Sequence, residues 1–142
     1  MAWMERIRIG DKFRVEKTVS ESDVYLYAGI TGDFHPNHVN DTYASNKFFG
    51  RRVVHGALLV GFVSAATSRI DGLEPPGYMA QEYHIKFLAP AYFGDTVATE
   101  ATVTEILTER RKILLEVKVT KQDGTAVAAG SAVLKVMRSE YP

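Results

Sequence analysis

Apolar side chains recur along this chain first at alternate positions, then at helical spacing, then at alternate positions again, and that change of period outlines the fold. Phe13 and Val15, with Val19 a further candidate, alternate with charged neighbours and predict a first short strand. Ser20-Glu21-Ser22-Asp23 has the form of a capping box, in which a hydroxyl and a carboxylate satisfy the first free amides of a helix. Val24, Tyr27 and Ala28 at helical spacing predict a short helix behind it, and Asn40 to Asn46 a further helical turn. The run from Ala57 to Ser68 is apolar on nearly every face. A helix without a polar stripe is a buried one, and this run falls short of the roughly 20 apolar residues that cross a bilayer. Arg69, Asp71 and Gly72 close it with charge and a stop signal.

Glu74-Pro75-Pro76-Gly77 is a clear break, after which alternation takes over. Tyr83, Ile85 and Phe87 alternate with His84, Lys86 and Leu88 until Ala89-Pro90 ends the strand. Val97, Thr99, Ala101 and Val103 predict the next strand, and Ile113, Leu115, Val117 and Val119 the one after. Gln122-Asp123-Gly124-Thr125 is a hairpin turn in which Asp-Gly is expected to supply positive backbone angles, and Ala126 to Met137 form the last strand. A buried helix followed by long antiparallel strands predicts an α+β fold, an antiparallel β-sheet wrapped around a central helix. A strand such as Ile113 to Thr120 would leave an unpaired edge if the domain stood alone, and proteins usually cover such edges.

Composition narrows the choice. The 142 residues suit a single domain spanning 1–142 with a real core. A formal net charge of zero argues for neither nucleic acid nor an acidic membrane surface. The lack of cysteine excludes disulfides, a thiol nucleophile and a thiolate metal site together. Met1-Ala2-Trp3-Met4-Glu5-Arg6 shows no basic region followed by an apolar stretch, so no secretory signal is visible and a cytoplasmic location is expected.

The candidate chemistry lies in Gly32-Asp33-Phe34-His35-Pro36-Asn37-His38. Pro36 lacks an amide hydrogen and biases His35 away from helical geometry, so a bent loop is expected, and a tight bend can bring Asp33 and His38 together. An Asp and a His sharing a water make a general acid/base pair. Two other readings compete: a structural turn capped by Asp33, and a metal site of Asp33, His35 and His38. Pro36 argues against the helical histidine spacing that would favour metal, and no further Cys or His cluster completes a tetrahedral set. Val53-Val54-His55-Gly56 leads into the apolar helix. Its first amides lack intrahelical partners and sit at the positive end of the helix dipole. The Gly56 N–H is placed to receive a partly negative oxygen, or Gly56 simply eases close packing.

Gly32-Asp33-Phe34-His35-Pro36-Asn37-His38, followed by Tyr43-Ala44 and Val54-His55-Gly56, resembles the hydratase 2 motif of MaoC-like dehydratases and (R)-specific enoyl-CoA hydratases, from Gly10-Asp11 to the last strand. The resemblance implies a hot-dog fold and hydration of a trans-2-enoyl-CoA to an (R)-3-hydroxyacyl-CoA, or the reverse dehydration. Asp33 and His38 match the catalytic pair, Gly56 the glycine whose amide binds the thioester oxygen, and Ser64 a serine near the catalytic centre. His35 departs from the family, which usually has Asn there; this leaves the pair intact and bears on local hydrogen bonding and substrate preference. Also implied are an acyl-CoA or acyl-carrier-protein thioester as substrate, no cofactor, no metal, and at least a homodimer with the acyl tunnel near the interface.

The remaining polar candidates are weaker. His55 is expected to hydrogen-bond loop backbone, and His84 to be packed or at the rim. Ser64 lacks a Gly-x-Ser-x-Gly context, so a hydrogen bond toward Asp33 and His38 suits it better than a nucleophilic role. Arg51, Arg52 and Lys86 are candidates for coenzyme A phosphates, or a solvated face. A thioesterase on the same fold and a non-catalytic acyl-thioester binding subunit remain alternatives.

Overall fold

The computed structural model describes residues 3–74 and 76–138. A 3₁₀ turn at Trp3–Glu5 precedes β1 (Lys12–Thr18), α1 (Glu21–Thr31), α2 (Pro36–Val39), α3 (Asp41–Ser45) and α4 (Gly56–Thr67); β2 (Tyr78–Phe87), β3 (Thr96–Leu107), β4 (Lys112–Lys121) and β5 (Ala126–Val136) follow. One antiparallel sheet holds all five strands in the order β1-β3-β4-β5-β2. The sheet curls around α4, which packs on β3, β1 and β2. This is the hot-dog arrangement the resemblance implies.

Alternation decides which strand faces line the core. Val97, Ala101 and Val103 of β3 and Ile113, Leu115, Val117 and Val119 of β4 are all buried, with Leu59, Val63 and Ala66 of α4 in the same cluster. Ser20 caps α1 as expected: its side chain accepts from the Asp23 amide while the Asp23 carboxylate accepts from the Ser20 amide.

Three expectations need correction. Only one face of α4 is buried, and Ala57, Gly61, Ser64 and Ser68 form an exposed stripe of small residues. The strand Ile113 to Thr120 is no edge, because β4 lies between β3 and β5; the bare edges are β1 and the ten-residue β2. In the β4–β5 hairpin only Gly124, at φ 86, takes a positive angle. Its amide donates to the Lys121 carbonyl, Lys121 donates to the Thr125 carbonyl, and the register shifts at Val119/Thr120. That is a turn followed by one left-handed residue, so Asp123 acts through its side chain, accepting from the Thr125 amide.

Candidate active site

The motif is assembled by two short helices rather than by a loop alone. Gly32 ends α1 in left-handed geometry (φ 82) and turns the chain into Asp33. His35, in non-helical geometry, is the N-cap of α2, with Pro36 in the first helical turn. Proline suits that position because its missing hydrogen has no helical acceptor to lose. The expected bent loop is therefore confined to 33–35, and His38 is helical. Asn40 caps α3 through an acceptor bond from the Tyr43 amide.

His38 is fixed by the backbone just ahead of α4. The Val53 amide donates to the Asn37 carbonyl at 3.0 Å, and His38 Nδ1 lies 2.7 Å from the Val53 carbonyl oxygen. A carbonyl only accepts, so Nδ1 carries the hydrogen and Nε2 keeps a bare lone pair. Burial holds the imidazole below its ordinary 6.5, with the neighbouring His55 and His35 acting the same way and the Val53 carbonyl and Asp33 opposing. The ring is thus favoured neutral, as a proton acceptor at Nε2.

His55 joins the two members of the pair from beneath. Its buried ring stacks on His38 with centroids 3.7 Å apart and planes at 25°. Its Nε2 lies 3.0 Å from the Asp33 carbonyl oxygen, the loop-backbone bond expected of it. The other face leans on Tyr27 at 4.6 Å, and Nδ1 is buried without a hydrogen-bond partner among the described residues. Tyr27 and the Val53 carbonyl went unnoticed in the sequence. Tyr27 reads as core by its helical spacing, and a backbone carbonyl leaves no mark on residue type.

One ligand-capable atom each from Asp33, His38 and His55 lies within 4.8 Å of the others. Two acceptors bridged by one water sit about 4.5 Å apart at ordinary hydrogen-bond lengths, so the Asp33–His38 spacing suits a shared water. A divalent ion fits poorly. Stacked rings aim their in-plane lone pairs side by side, whereas an ion needs them to converge. His35, the third member of the metal set considered from sequence, spends Nδ1 accepting from the Asn37 amide at 3.2 Å.

Gly56 opens α4, so its N–H has no partner within the helix. The Phe87 ring covers its Cα so closely that an added Cβ would lie 3.1 Å from it. Gly56, Val53, Phe48, Phe49, Phe87 and Leu88 border a cleft of about 370 Å³ with wholly apolar side chains. Ser64 lies elsewhere, on a cavity of about 450 Å³ with Asp71, Glu74, Tyr78 and Tyr83. No hydrogen bond joins its hydroxyl to Asp33 or His38 among the described residues. Arg52 is committed to Glu21 and Asp41, and Arg51 lies over the Tyr92 ring at 3.9 Å. His84 is an exposed rim residue near Glu82.

The MaoC like domain family matches residues 6–125. The chain belongs to this family. It is 38% identical over 135 residues to an (R)-specific enoyl-CoA hydratase of Rhodospirillum rubrum, covering 94% of this chain and 91% of that protein. A 3-hydroxybutyryl-CoA dehydratase of Methylorubrum extorquens is 33% identical over 139 residues, with 97% and 86% coverage. Among solved structures, an (R)-hydratase from A. caviae involved in PHA biosynthesis superposes with a TM-score of 0.83 at 27% identity, covering 92% of this chain and 98% of that one. In this MaoC-like chain, the sequence motif and the spatial cluster coincide at Asp33 and His38.

Proposed function

We propose that this protein hydrates trans-2-enoyl-CoA to (R)-3-hydroxyacyl-CoA, or runs the reverse dehydration, through Asp33, His38 and the Gly56 amide. The carrying observation is a backbone-locked His38, its Nδ1 held by the Val53 carbonyl, with a ring nitrogen within 4.8 Å of an Asp33 carboxylate oxygen. The (R)-specific enoyl-CoA hydratase and 3-hydroxybutyryl-CoA dehydratase relatives support the same reaction.

In the hydration direction, the enoyl thioester sits with its carbonyl oxygen at the Gly56 N–H. Asp33 accepts one hydrogen bond from a water and His38 Nε2 the other. As the water oxygen bonds to the β carbon, its proton passes to His38. Electron density from the double bond moves onto the thioester oxygen, and the imidazolium then delivers the proton to the α carbon on the same face. A fixed amide at the start of α4 favours the enolate over the ground state because it is already aimed where charge develops. The apolar cleft beside Gly56 suits a hydrocarbon or pantetheine segment lying against that amide.

Assembly belongs to the same proposal. The bare edge of β2, the small-residue stripe of α4, and Met79, Phe87 and Leu88, all more than half exposed, suit a second copy of the chain. Pairing would extend the sheet and bury these groups together.

The test is loss of enoyl-thioester ultraviolet absorbance with crotonyl-CoA, for the wild type and for Asp33→Asn and His38→Gln, with free thiol measured in parallel. Rapid loss without thiol release is expected in the wild type, with kcat lower by roughly a hundred- to ten-thousandfold in either folded variant. Thiol release in step with the absorbance change would make the protein a thioesterase. Near wild-type kcat in Asp33→Asn would remove Asp33 from the chemistry.

A further inference from the structure

His35 is tied to both members of the proposed pair. Its amide donates to Asp33 Oδ1 at 3.3 Å, and its carbonyl accepts from the His38 amide at 2.9 Å. The imidazole meanwhile fills the N-cap role of α2: Nδ1 accepts from the Asn37 amide at 3.2 Å. Asn or Asp commonly takes such a position, through an oxygen that stays an acceptor across the mild pH range. An imidazole nitrogen accepts only while it is unprotonated.

We propose that His35 is a proton-sensitive positioning residue, whose neutral Nδ1 caps the helical turn carrying His38 and whose protonation releases that turn. A proton at Nδ1 would place two donors nose to nose at the Asn37 amide and add positive charge at a helix start, where the dipole disfavours it. The released turn is the one that aims His38 Nε2, so hydration falls as His35 gains its proton. The inference rests on the hydratase reading for its kinetic arm only.

The groups around the ring set the competing effects. Asp33 faces His35 from its own loop. The His38 ring of α2 is edge-on with centroids 6.2 Å apart, and Tyr43 of α3 is edge-on at 5.9 Å. Lys47 lies over the Tyr43 ring, and His55, ahead of α4, stacks behind His38. A charge on His35 acts on His38 as a like charge, which by itself keeps His38 neutral and would extend activity to lower pH. Cap loss acts oppositely. His35 is solvent-exposed, so its charge is screened, whereas the cap bond is local and lost outright. The cap effect therefore decides the sign.

The experiment compares wild type, His35→Asn and His35→Ala. The pH dependence of kcat/KM for crotonyl-CoA hydration is one arm, and the amide nitrogen–proton NMR spectrum between pH 5 and 8 the other. At neutral pH, His35→Ala should fall by roughly fivefold, the scale of one lost N-cap, and His35→Asn should recover most of that. On the acid side the wild type should lose up to roughly fivefold more activity than His35→Asn, the step following His35 protonation. The Asn37 amide should shift with the same midpoint as the His35 ring protons, and should lose that midpoint in His35→Asn. A ratio of His35→Asn to wild-type activity that stays constant down the acid limb overturns the proposal, as does a ratio that changes the other way. So does an Asn37 amide that ignores His35 titration. If no variant hydrates crotonyl-CoA, the hydratase reading fails alone and the Asn37 titration still decides this one.

Discussion

At the residue scale, the proposed site has its atoms committed in advance. The Val53 carbonyl spends His38 Nδ1, so one nitrogen is left uncommitted and the ring's orientation is set. His55 fixes the Asp33 backbone with the same ring that supports His38 from below. Burying an imidazole against another has a thermodynamic consequence. His38 is held below its ordinary 6.5, so beneath that pH the unfolded chain takes up the proton more readily than the folded one. The associated stability is complete above 6.5 and falls as the pH drops toward the folded value. The melting temperature of the wild type is expected to decline through that window more steeply than that of His38→Gln. Parallel melting curves for the two proteins from pH 7.5 to 5 would show His38 is uncoupled from folding.

At the element scale, the placement of β2 depends on a missing side chain. Gly130 of β5 pairs with Ile85 of β2, and a Cβ at 130 would fall inside the His84 carbonyl. The obstacle is backbone, so no rotamer change relieves it. Gly130→Ala is expected to destabilise the protein by about 3 kcal/mol or more, the upper range of overpacking, chiefly by loosening β2. Chemical denaturation with an unchanged midpoint would contradict the close approach of the two strands. The motif elements α1 and α3 are tied together differently, by Arg52. It bridges Glu21 of α1 and Asp41 of α3 with most of its side chain buried. The sequence expectation of a phosphate-facing arginine gave no hint of this, because a basic residue looks alike whether its partner is a ligand or its own fold.

For the whole molecule, the bare β2 edge and the exposed stripe of α4 lie on surfaces that the single chain leaves to water. With a homodimer as the proposed state, Met79→Lys on the β2 strand is expected to shift the protein toward a folded monomer, because edge lysines oppose strand addition. Crotonyl-CoA turnover should fall along with the dimer. Sedimentation velocity on both proteins checks this. A fully active wild type that sediments as a single chain would remove the interface from the function. None of the described helices is long and apolar enough to cross a membrane.

The periods of β3 and β4, the Ser20–Asp23 cap and the Asp33/His38 motif were legible in the sequence because each rests on neighbours a few positions apart. Local spacing decides which face of a strand is apolar and which side chain can reach a free amide. Strand order, the single buried face of α4 and the stacking of His55 on His38 were decided only in the folded chain. Each of these depends on contacts between distant segments, such as Val53 with His38 and Gly130 with His84. Composition and periodicity do not encode which distant segment a backbone group will meet. Packing settles that, by burying the apolar faces together while leaving few backbone donors unpaired.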